Sequence, residues 1–74
     1  MPNLEIVAMW DEDAKVWVAT SDDVPGLATE ADTLDVLIDK LKVIAPELLE
    51  ANGRPVDGVL FTLRSERTIP PVPT

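Results

Sequence analysis

The chain has 74 residues, too few for more than one domain. Fourteen Asp and Glu against 6 Lys and Arg give a net charge of −8, which opposes phosphate backbones and anionic membrane surfaces. With no cysteine or histidine there is no disulfide, no thiolate or imidazole zinc ligand, and no nucleophile–base pair built on them.

A hydrophobic fraction of 46% supports a true core. A single core of this size supplies roughly 3–5 kcal/mol without help. Self-association, most simply a homodimer, is therefore expected. No apolar run reaches the roughly 20 residues of a membrane span, and no leader pattern opens the chain. The expected location is the cytoplasm.

Leu4 to Trp10 alternates as a strand does, with Leu4, Ile6, Ala8 and Trp10 on one side and Glu5, Val7 and Met9 on the other. Asp11-Glu12-Asp13-Ala14 is a polar turn. It starts like a calcium loop, but Lys15 follows where an oxygen ligand belongs, and the glycine and final Glu are absent. Lys15 to Thr20 is β-branched and aromatic, a returning strand. In Val24-Pro25-Gly26-Leu27, proline fixes the first central position and glycine supplies the positive φ of the second, as a type II turn requires. A short third strand follows, Leu27 to Glu30.

Asp32-Thr33 starts a helix, with Asp35 at its positive end. Leu34, Leu37, Ile38, Leu41, Ile44, Ala45, Leu48 and Leu49 form one apolar stripe, and Asn52-Gly53 ends it. Pro46 predicts a bend or break near Ala45. Val59 to Leu63 is the last strand. The domain is expected to span 1–67, with a proline-rich flexible tail at 68–74.

The predicted class is α+β in the order β-β-β-α-β. Three meandering strands leave the third parallel to the first, and the helix returns the chain beside the first through a right-handed crossover. The result is one helix on a mixed four-stranded sheet ordered 3-2-1-4. One helix covers one face. The other would carry Val7, Met9, Trp17, Ala19 and Leu60, or the reciprocal set. Val7, Met9, Trp17 and Leu60 are therefore the expected oligomer interface, with an edge strand of the sheet as the alternative. Asp22, Asp23, Pro25 and Gly26 make a rigid acidic turn suited to a basic protein partner. The aspartate pairs Asp22-Asp23 and Asp32, Asp35 flank a turn and a helix start, which are structural positions, so no catalytic residue, metal or cofactor is expected and the chain is not expected to be an enzyme.

Trp17, then Asp23-Val24-Pro25-Gly26, Thr29 and Asp32-Thr33, together resemble the core of the HicB-like antitoxins. Ala31 departs from the usual glycine before Asp-Thr, and Val36 from a common acidic residue. Residues 46–53 look like a short stand-alone subgroup, so the appended DNA-binding domain of typical members is not expected. The resemblance implies a partial ribonuclease-H-like fold and a non-catalytic role, binding and masking a small basic RNA-cleaving toxin. The alternative is a homo-oligomeric domain that binds a small ligand or regulator.

Overall fold

A computed structural model describes residues 3–72. The expected start at Met1-Pro2 and the last two positions of the expected tail lie outside the described residues. Five elements follow in the order β1 (Asn3–Asp11), β2 (Val16–Thr20), β3 (Ala28–Ala31), α1 (Leu34–Ala51) and β4 (Leu60–Glu66). The sheet order is β3-β2-β1-β4, with β1 antiparallel to β2, β2 antiparallel to β3, and β4 parallel to β1. This is the predicted architecture of one helix on a mixed four-stranded sheet.

Asp11 makes the first hairpin. Its Oδ1 accepts the N–H groups of Asp13 (3.0 Å) and Ala14 (3.1 Å), and its carbonyl accepts Lys15 N–H at 2.8 Å. Lys15 takes φ +60°, so it belongs to the turn and not, as expected, to β2. This loop sets the register Asp11↔Val16, Trp10↔Trp17 and Ala8↔Ala19.

α1 is capped at both ends. Thr33 Oγ1 accepts Val36 N–H at 3.2 Å. At the other end Gly53, at φ +70°, donates to Glu50, and Arg54 N–H donates to the Leu49 carbonyl, a Schellman closure. Pro46 lies inside α1 without breaking it. Leu37, Leu41, Ala45 and Leu49 form the buried stripe and meet Ile6, Ala8, Ala19, Val24, Leu27 and Ala31 in the core. α1 packs closest to β3 and β2. Phe61 and Leu63 of β4, on the same side of the sheet, are therefore only half-buried.

The third and fourth strands begin one residue later than expected, and β4 runs on to Glu66, three residues past Leu63. After Glu66 the chain has no regular secondary structure through residue 72.

Candidate functional site

The segment between β2 and β3 completes the sheet with side chains. β1 extends below the end of β2, so Glu5 has no backbone partner on that side. Asp23 Oδ2 accepts Glu5 N–H at 2.8 Å, and Ser21 Oγ donates to the Glu5 carbonyl. The same Ser21 oxygen accepts the N–H groups of Asp23 (3.0 Å) and Val24 (3.1 Å). Val24 and Leu27 are buried on either side of the turn. Leu27 N–H donates to the Val24 carbonyl at 3.2 Å across Gly26, whose φ is +83°. Arg54 Nη1 donates to the Asp23 carbonyl at 3.2 Å, joining this loop to the segment after α1.

Asp22, Asp23, Pro25 and Gly26 are thus brought together and exposed, but they are not equivalent. Asp23 uses a carboxylate oxygen to hold its own loop. Asp22 stands beside it, exposed, on a fastened support.

The helix-free face differs from expectation at two residues, Trp17 and Ala19. Val7 and Met9 lie there, Met9 54% exposed, alongside Leu60 at 59%. Trp17 does not. Opposite residues of an antiparallel pair share a face, so Trp17 sits beside Trp10 on the helix side, as does fully buried Ala19. The two indoles meet edge to face at 5.4 Å between centroids and 63° between planes. Val16 and Val18 take the place expected for Trp17 and Ala19. The apolar centre is bordered by Glu30 and by Arg64, which sits 3.5 Å from both Glu5 and Glu66.

At the hairpin end, the Arg67 guanidinium lies 4.2 Å above the Trp10 ring. The Trp10 indole N–H donates to Glu12, and Lys15 Nζ donates to the other Glu12 oxygen at 2.8 Å. The Lys15 bond, followed by the indole bond, holds the Glu12 carboxyl below its ordinary pKa. A depression of about 360 Å³ beside it is lined by Met9, Trp10, Glu12, Glu66, Thr68 and Pro70. Its two carboxylates are both paired, Glu12 with Lys15 and Glu66 with Arg64.

Sequence reasoning missed a groove of about 290 Å³ between α1 and β4, lined by Ile6, Ile38, Leu41, Val59, Phe61 and Leu63, with Lys42 and Leu60 at its rim. The exposed position of Ile38, on the margin of the apolar stripe, was the available signal. Among the described residues, no group of three or more His, Cys, Asp or Glu is arranged to hold a metal ion, and no helix is long and apolar enough to cross a membrane.

The sequence model of a domain of unknown function, DUF1902, matches residues 3–72. A hypothetical protein from the extremely thermophilic bacterium Thermus thermophilus, known from its crystal structure, shares 56% sequence identity with this chain. The two superpose with a TM-score of 0.74, covering 95% of this chain and 97% of that one. No curated protein matches the sequence.

Proposed function

The chain belongs to the DUF1902 family, a domain of unknown function, and we propose that it is a non-catalytic cytoplasmic protein-binding domain of the HicB-like antitoxin type, whose partner is a small basic protein. A toxin that cleaves RNA is the specific partner this reading implies. The partial ribonuclease-H-like description belongs to the same proposal, and the strand order supports it.

The observation that carries the reading is the fastened acidic loop. Asp22 is presented on a support held at Glu5, Val24 and Arg54, so a partner meets a carboxylate that needs little ordering on binding. The net charge of −8 steers cations toward it. The basic partner is recovered by affinity capture from source cells, and its binding is measured over a range of salt. Affinity should fall as salt rises. Asp22→Asn should slow association with little change in folding, and an equimolar amount of the chain should stop RNA cleavage by the partner. An unchanged association rate would exclude the loop, and uninhibited cleavage would exclude masking.

The groove between α1 and β4 favours a second reading, a homo-oligomeric domain that binds a small ligand or regulator.

A further inference from the structure

We propose that the free edge of β4, together with the α1–β4 groove, is where a second copy of this chain docks, β4 against β4 in antiparallel pairing, so that two sheets become one. This does not depend on the proposed basic partner.

The two edges of the sheet are treated differently. β3 has four residues, and its Glu30 carbonyl accepts Lys40 Nζ at 2.6 Å. β4 has seven residues with no proline among them. No backbone hydrogen bond beyond its ladder with β1 is found for it among the described residues. Edges left to solvent are ordinarily shortened, covered or blunted by lysine. β3 shows such features and β4 does not.

The direction of the open groups follows from alternation. Glu5 turns its N–H and C=O toward the loop after β2, where Asp23 and Ser21 meet them. Ile6 therefore turns its own toward β4. The parallel register Ile6↔Leu63 then engages the backbone of Thr62 and Arg64. Phe61, Leu63 and Ser65 are left with N–H and C=O pointing outward. Their side chains project into the groove side that α1 leaves half-covered.

A second β4 fits this edge by self-complementarity. With Thr62 on a two-fold axis, Phe61 of one copy pairs with Leu63 of the other, twice, and Leu60 lies opposite Arg64. No like charges face each other. The charges nearby also balance, Arg64 beside Glu66 at 3.5 Å and Lys42 beside Asp39 at 3.7 Å. In a molecule of net charge −8, this is a neutral surface on which two copies approach without strong repulsion.

The test is sedimentation of the full chain from low to high micromolar concentration, with hydrogen exchange followed over residues 60–66. Wild type should form a dimer whose β4 amides become protected as concentration rises. Thr62→Lys sets two ammonium groups face to face and should weaken the dimer at least about tenfold. Thr62→Val also loses the Thr62 hydroxyl bond to Asn3 (2.7 Å) but adds no charge, and should still dimerise. Met9→Lys, on the helix-free face, should leave the dimer intact. A monomer at every concentration overturns the proposal. So does a dimer that Met9→Lys dissociates and Thr62→Lys does not, or β4 protection that arises only when a different protein is added.

Discussion

Ser21 and Asp23 act as a substitute strand. Between them they satisfy both backbone groups of Glu5, which lies 16 and 18 positions away in the chain. Removing either leaves Glu5 to water and loosens the loop that carries Asp22. Ser21→Ala should cost about 1–2 kcal/mol and Asp23→Ala about 1 kcal/mol, whereas Asp22→Asn should change stability by less than about 0.5 kcal/mol. Urea unfolding of the three variants checks the order. Glu12 offers a second measurement. Its folded pKa is depressed, chiefly by Lys15. Its ionised form is thus favoured in the folded chain, and that contribution is present above the ordinary glutamate range and fades as pH falls through the lowered value. Side-chain NMR titration should find its midpoint below that of an ordinary glutamate. Lys15→Met should move the midpoint upward, leaving the smaller depression due to the Trp10 indole and Arg67.

The helix shows how local rules were sufficient for one element and insufficient for others. Thr33 and Gly53 stand at the positions that cap chemistry demands, and both caps form. Thr33→Ala and Gly53→Ala should each destabilise by about 1 kcal/mol. Denaturant curves should show this as a lower midpoint with unchanged slope. The strand order was legible because alternation, turn residues and the helical stripe each point to one element. The side taken by Trp17 was not, since the residues from Val16 to Ala19 are apolar on both faces. Only the four-residue turn closed by Asp11 fixes which indole neighbours which. Arg64, Ser65 and Glu66 carry no apolar signal, and they extend β4 because Val7, Ala8 and Met9 lie alongside as a template. The Glu5 fastening was invisible for the same reason: it depends on two segments meeting in space, and neither serine nor aspartate announces a distant backbone partner.

At the scale of the whole molecule, carboxylates concentrate in the loops and helix flank, and one group of incompletely covered apolar side chains, Ile38, Phe61 and Leu63, lies where α1 stops short of β4. This follows from one helix lying toward β3 and β2 on a sheet four strands wide. The lysine that reaches from α1 to the Glu30 carbonyl has a meaning for growth. A sheet with two adhesive borders can add copies without end, which is how fibrils lengthen; a sheet with one can add a single neighbour and then stop. Lys40 is the stop. Its ammonium occupies an acceptor on the β3 border and places a strongly hydrated charge where an incoming strand would lie. Lys40→Ala should leave the fold intact but free that border. On long incubation at high concentration the variant should scatter light and bind an amyloid dye, whereas the wild-type chain stays clear. A clear Lys40→Ala solution would mean that the brevity of β3 is barrier enough against runaway polymerisation.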